Sequence, residues 1–159
     1  MRTAIYPGSF DPITNGHLDI LERATKVFDK IYVTILVNPQ KKCLFSDAER
    51  QELIEKSIEP ENKIIVTTFD GLLTNYAVKV EAQAIIRGLR AVSDFDYEFQ
   101  MALTNRKLND SIDTVFFMTS EKYSYLNSGL IKQLVMFGAD VSQFVPDIVE
   151  MRLKEKFNR

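Results

Sequence analysis

His17, the only histidine of the chain, closes the loop Tyr6-Pro7-Gly8-Ser9-Phe10-Asp11-Pro12-Ile13-Thr14-Asn15-Gly16. The apolar run before it ends in Pro7-Gly8, and Asn15-Gly16 delivers the chain into an apolar-periodic segment. This reads as strand, loop and helix start. The first turn of a helix has unpaired N–H groups and a partial positive charge, which favour a phosphate. Gly8 and Gly16 offer close approach and positive φ at little cost, and His17 is placed to point at such an anion. An ordinary strand-to-helix loop with a capping histidine fits the same spacing, and spacing alone leaves the two readings level. Lys41 and Lys42 could neutralise phosphate, although most paired loop lysines are simply solvated. Arg87-Gly88-Leu89-Arg90 is the stronger candidate, against the rival of a surface turn. Its two arginines, directly after an apolar strand, present forked donors for phosphate oxygens while Gly88 frees the backbone.

These groups are positioned by a regular alternation of elements. Thr3–Tyr6 is predicted as a buried strand, and about Gly16 to Phe28 as an amphipathic helix. Ile31–Val37 is β-branched and nearly continuous, as in a strand covered on both faces. A loop over Gln40–Phe45 follows, and Ser46-Asp47-Ala48-Glu49 is a capping box opening a helix to about Ile58. Pro60-Glu61-Asn62 reads as a turn, Lys63–Phe69 as a strand, Leu72–Val80 as a helix and Ala84–Ile86 as a strand, leaving Arg87–Arg90 in a loop. Ser93 is predicted to cap the next helix. Its residues Val92, Phe95, Phe99, Ala102 and Leu103 share one face, and Asp94, Glu98, Met101 and Asn105 another. Thr114–Met118 is the fifth strand, followed by a polar loop to Tyr125, a helix over about Asn127 to Phe137 and a last helix starting at Pro146.

Five strands alternating with helices predict one α/β domain over residues 1–159, a Rossmann-like parallel sheet with helices on both faces. In such sheets ligands bind beyond the carboxyl ends of the strands. Ser9 to His17, Lys41 and Lys42, Phe69 to Leu73, Arg87 to Arg90, and Thr119 to Gly129 all fall there. That convergence is the main signal for a site.

Composition sets limits. Of 159 residues, 45% are hydrophobic and 26% charged, as in ordinary globular chains, and the net charge of −2 gives no global reason to expect nucleic acid. Cys43 is the single cysteine, which excludes an internal disulfide and suits a reducing compartment. No apolar run reaches the roughly 18–20 residues that span a bilayer, and Pro7 and Asp11 interrupt any signal-peptide core. The expected setting is the cytoplasm.

The loop from Tyr6 to His17 resembles the signature of the nucleotidyltransferase superfamily, in which a Thr/Ser and a Gly-His pair flank an ATP-binding loop. Ile85-Ile86-Arg87-Gly88-Leu89-Arg90-Ala91-Val92-Ser93-Asp94-Phe95-Asp96-Tyr97-Glu98 is similar to a block of the bacterial phosphopantetheine adenylyltransferases. Tyr123-Ser124-Tyr125-Leu126-Asn127-Ser128-Gly129 resembles that family's nucleotide-binding segment, and the likeness runs over essentially the whole chain.

The resemblance implies transfer of AMP from ATP to 4′-phosphopantetheine, giving dephospho-coenzyme A and pyrophosphate. It implies that Ser9, with the Phe10 backbone, touches both ATP and the acceptor phosphate, and that Lys41, Leu73 (through its backbone) and Arg87 hold phosphopantetheine. It places ATP against His17, Gly88, Leu89, Arg90, Glu98, Tyr123, Ser124, Tyr125, Leu126, Asn127, Ser128 and Gly129. His17, Lys41 and Arg90 are the implied catalytic residues. Ser9 stands where Thr is more usual, which keeps the hydroxyl, and Asn127 and Gly129 replace hydroxyl residues. Mg²⁺ is expected with the ATP phosphates rather than in a protein carboxylate cage, and the family implies a homohexamer. The attacking phosphate is already an anion, so no protein nucleophile is needed. Two alternatives are an adenylyltransferase for another phosphorylated acceptor, such as nicotinate mononucleotide, and a non-catalytic nucleotide-binding protein.

Overall fold

The computed structural model describes residues 1–59, 62–90 and 92–159, with backbone only at 92 and 93. The turn predicted at Pro60-Glu61 and the capping side chain of Ser93 lie outside them. Five strands, β1 (Thr3–Gly8), β2 (Lys30–Leu36), β3 (Ile64–Phe69), β4 (Ala84–Leu89) and β5 (Asp113–Met118), form one parallel sheet in the order β3-β2-β1-β4-β5. Helices α1 (Asn15–Thr25), α2 (Asp47–Ser57), α3 (Leu73–Lys79), α4 (Val92–Leu108), α5 (Ser128–Met136) and α6 (Asp147–Phe157) connect or follow them. From β1 the chain builds outward through β2 and β3, then returns to the other side for β4 and β5. The order therefore reverses beside β1, and a crevice opens at the carboxyl ends of β1 and β4.

Strand alternation divides the core between the two faces. Ala4, Tyr6, Ile31, Val33, Ile35, Ala84 and Ile86 point to one side and pack with Ile20, Leu21 and Ala24 of α1, Leu53 and Ile54 of α2, Ile131 of α5, and Val149 and Leu153 of α6. Ile5 and Ile85 point to the other, where Tyr76 and Ala77 of α3 cover them. The Ser46–Glu49 capping box forms as predicted, each side chain bonding the other's backbone N–H.

Two differences from the sequence expectation concern the site. β4 continues through Arg87, Gly88 and Leu89, which pair with Phe116, Phe117 and Met118, so the arginine motif begins inside the sheet rather than in a loop. Its glycine serves packing: a Cβ on Gly88 would lie 2.3 Å from Ile20 Cδ1, so the Ile20 side chain of α1 packs onto β4 in the space that the glycine leaves. Helix α4 begins at Val92, which puts Ser93 inside it rather than at its cap. This helix also turns its apolar face outward. Phe95, Phe99 and Leu103 are 45%, 47% and 54% exposed, whereas Glu98 and Asn105 on its polar face are 8% and 9% exposed. Among the described residues, no helix is long and apolar enough to cross a membrane.

Candidate active site

The β1–α1 loop is held by side chains that bond backbone. Thr14 caps α1, and its own N–H donates to Nδ1 of His17 at 3.0 Å. That bond requires Nδ1 to carry the lone pair, so neutral His17 has its proton on Nε2. Burial, reinforced by the Arg90 and Arg87 charges, lowers the imidazole to about 4. At neutral pH His17 is thus an uncharged hydrogen-bond donor of fixed tautomer, with Phe10 packed edge-on against its ring. Gly8 and Gly16 do not use positive φ; the left-handed residue of the loop is Phe10, at φ 46°. Its ring lies under Gly8, where a Cβ would come within 2.9 Å of it.

Asp11, the next residue, is buried and accepts from the N–H groups of Leu44 and Phe45, both at 2.9 Å, and from Lys132 Nζ at 2.7 Å. Burial works against its charge, but these three donors prevail and hold the carboxyl below its usual range. One carboxylate thereby joins the β1 loop, the β2–α2 loop and α5. Lys41 lies in the β2–α2 loop and donates to Ser9 Oγ at 2.8 Å.

Across the crevice the donors are charged and already paired. Arg87 forks onto Glu98 through Nε at 2.6 Å and Nη2 at 2.5 Å, and its Nη1 reaches the Pro7 carbonyl at 3.2 Å. Arg90 bonds Asp94 at 3.1 Å and the Leu126 carbonyl at 2.9 Å, tying the end of β4 to the loop before α5. Asn127 spends its amide oxygen capping α5 through the N–H of Leu130.

Two cavities result. One, of about 400 Å³, is lined by Ser9, Phe10, His17, Lys41, Arg87, Gly88, Arg90, Glu98, Tyr123, Leu126, Asn127, Ser128 and Gly129. The other, of about 650 Å³, runs from Leu36–Pro39 past Asp70–Leu73 to Tyr97, Met101 and Asn105 of α4. Gly8, Ser9, Lys41, Arg87 and Glu98 line both. An arrangement of two chambers meeting at a hydroxyl and three charged groups can hold two substrates with phosphates facing each other.

A profile of the cytidylyltransferase-like family matches residues 5–134. The chain is 57% identical over 159 residues to a phosphopantetheine adenylyltransferase of Caldanaerobacter subterraneus subsp. tengcongensis, covering 100% of this chain and 99% of that protein. To that of Clostridium novyi it is 58% identical over 147 residues, covering 92% and 91%. The chain belongs to the phosphopantetheine adenylyltransferase family. Among solved structures it is similar to a bifunctional NMN adenylyltransferase/ADP ribose pyrophosphatase from Francisella tularensis, with a TM-score of 0.74 at 15% identity. The match covers 99% of this chain and 50% of that one, and at such identity it speaks to the fold alone.

Within this family's motifs, three expected residues stand away from the cavities. Leu89 lies in β4, its carbonyl taken by the N–H and hydroxyl of Thr119. The Ser124 hydroxyl folds back onto the Glu121 carbonyl, closing a 3₁₀ turn over Glu121–Tyr123. Tyr125 is exposed and meets Phe144 edge-on. Leu73 lines the second cavity only, and Lys42 lines neither. Conversely, Lys132 lines the first cavity from outside the stretches that the sequence singles out, and Tyr6, Asp11, Thr14 and Thr119, inside those stretches, line it without an expected role of their own. Lys132 carried a usable signal, since it is one helical turn beyond Ser128 and so shares its face. Asp11 carried little, because its partners come from 33 and 121 residues away.

Proposed function

We infer that the protein transfers the adenylyl group of ATP to the phosphate of 4′-phosphopantetheine, releasing pyrophosphate and forming dephospho-coenzyme A. The observation that carries this reading is the junction itself: Lys41 and Ser9, bonded to each other, line both cavities. ATP occupies the chamber of His17, Arg90 and the Leu126–Gly129 turn, and phosphopantetheine that of Leu73, with its phosphate at Lys41, Ser9 and Arg87. The acceptor phosphate attacks the α-phosphorus in line. His17 donates Nε2–H to phosphoryl oxygens as charge builds, Lys41 bridges nucleophile and α-phosphate, and Arg90 binds the departing pyrophosphate.

Among the described residues, no hydroxyl at the junction is bonded to a carboxylate or imidazole that would activate it as a nucleophile. His17 Nδ1 is bonded to Thr14, and the hydroxyls of Ser9 and Ser128 are bonded to Lys41 and to the Pro12 carbonyl. Asp11 and Glu98, the cavity's acids, are bonded to Lys132 and Arg87. Mg²⁺ bound with ATP would supply neutralisation of phosphate charge, and with these carboxylates paired it would be held mainly through the nucleotide. The reaction belongs to the cytoplasm, as Cys43 and the family resemblance suggest. The outward apolar face of α4 supports a homo-oligomer, and the resemblance a homohexamer, because a stripe of Phe95, Phe99 and Leu103 calls for cover.

The test is acceptor choice. Pyrophosphate release should require 4′-phosphopantetheine and should not occur with nicotinate mononucleotide. The reverse preference would reassign the acceptor chamber, and ATP binding without turnover on either would make the protein a binding protein.

A further inference from the structure

Arg50 is a buried guanidinium beside the site, and nothing in the proposed chemistry uses it. It projects from the first turns of α2, with its side chain only 3% exposed. Nη1 donates to the Ser9 carbonyl at 2.6 Å across 41 residues of sequence, Nη2 donates to Asp47, and Nε is buried without a partner. A guanidinium buried with one donor unsatisfied is costly, so its placement calls for a reason beyond packing.

The Ser9 carbonyl belongs to the same peptide unit as the Phe10 N–H, and in a trans peptide the two point in opposite directions. A carbonyl drawn toward α2 therefore aims the Phe10 N–H away from α2. That N–H has no protein acceptor among the described residues. Phe10 itself is held at φ 46°, a region that residues with a Cβ seldom occupy. On its far side, Asp11 pins the chain through Leu44 and Phe45.

We propose that Arg50 is a positioning residue: it fixes the Ser9–Phe10 peptide so that the Phe10 N–H joins the Ser9 hydroxyl as a phosphate donor where the two cavities meet. This rests on the adenylyl-transfer reading above. A neutral donor fixed from behind by a buried cation needs no reorganisation as negative charge develops on phosphoryl oxygen. Arginine suits the task because its planar fork bonds Asp47 and the Ser9 carbonyl at once, which a lysine cannot do with the same geometry.

The experiment uses the full chain with Arg50→Met and Arg50→Lys, reading steady-state rates and the phenylalanine-selective ¹⁵N amide spectrum titrated with ATP alone. In the parent protein the Phe10 resonance should shift on adding ATP. In Arg50→Met that response should vanish and kcat should fall by about 10²-fold, with the acceptor KM changing less than about threefold. Arg50→Lys should lose only about 3–10-fold in kcat, rescue that an unrelated packing defect would not show. An unchanged Phe10 response in Arg50→Met, whatever happens to kcat, would overturn the proposal. If Arg50→Met does not fold, Arg50→Lys decides: a displaced Phe10 resonance with lowered kcat supports the role, and parental values of both contradict it. Because ATP alone is the probe, a parent protein that fails to turn over would count against the acceptor assignment and leave the Phe10 readout standing.

Discussion

The two walls of the crevice present hydrogen-bond donors of opposite kinds. On the β1 side the donors are neutral and fixed by buried and part-buried hydrogen bonds: Thr14 sets the His17 tautomer, Arg50 holds the Ser9 carbonyl, and Asp11 locks the loop to its neighbours. On the β4 side the donors are guanidinium groups, each already bonded to a carboxylate of α4. A preorganised neutral donor acts most strongly on charge that appears only in the transition state. A paired guanidinium can exchange one anion for another, which suits binding and release of charged substrates. The β1 wall should therefore govern kcat, and the β4 wall KM.

His17→Ala is the most direct way to break that division. It should lower kcat by about 10²–10³-fold with little change in either KM. A rise in KM at unchanged kcat would move His17 to the binding wall.

The same imidazole gives the next largest effect, through stability. Its value near 4 in the folded chain lies below the ordinary 6.5, so between those pH values the unfolded chain binds more protons. Stability should thus fall as pH drops from about 6.5 toward 4, by up to about 3 kcal/mol from this group, and change no further below that. Urea unfolding at pH 4.5 and 7.5 measures it. The pH-dependent loss should shrink in His17→Gln, and an equal loss in both proteins would mean that His17 titrates normally.

On the opposite wall, Glu98→Gln removes the charge that holds Arg87 from a side chain only 10% exposed. It should cost about 2 kcal/mol of stability and raise KM for one or both substrates, with kcat reduced less than in His17→Ala. A loss confined to kcat would erase the proposed difference between the walls. The smallest effect on the folded chain is expected from Phe99→Glu on the outer face of α4. The side chain is half exposed, so thermal stability at low concentration should change by less than about 1 kcal/mol while light scattering shows smaller particles. An unchanged particle mass would show that α4 faces solvent in the assembly.

How much of this the sequence discloses depends on the distance over which each feature is decided. The five strands were legible because β-branched runs and glycine or proline stops are local signals, and the Ser46–Glu49 cap follows from four adjacent residues. The gathering of Ser9, His17, Lys41, Arg87 and Arg90 was legible because parallel topology sends every carboxyl end to one edge. The extension of β4 through Arg87-Gly88-Leu89 was not, since Arg and Gly read as loop until β5 supplies their pairing partners. Nor could periodicity tell which face of α4 meets the sheet. It finds an apolar stripe, but here the polar stripe goes inward because Glu98 is needed by Arg87. The roles of Asp11 and Arg50 are set by partners tens of residues away, and no local pattern announces them.

The most direct test of the account is rapid-mix release of pyrophosphate from ATP and Mg²⁺, with ATP labelled at the α-phosphate, in the presence and absence of 4′-phosphopantetheine. Two substrates meeting at a junction without a protein nucleophile predict release only when both are present, with all transferred label on the acceptor and none on the protein. A burst of pyrophosphate equal to the protein concentration without acceptor, accompanied by labelled protein, would contradict it.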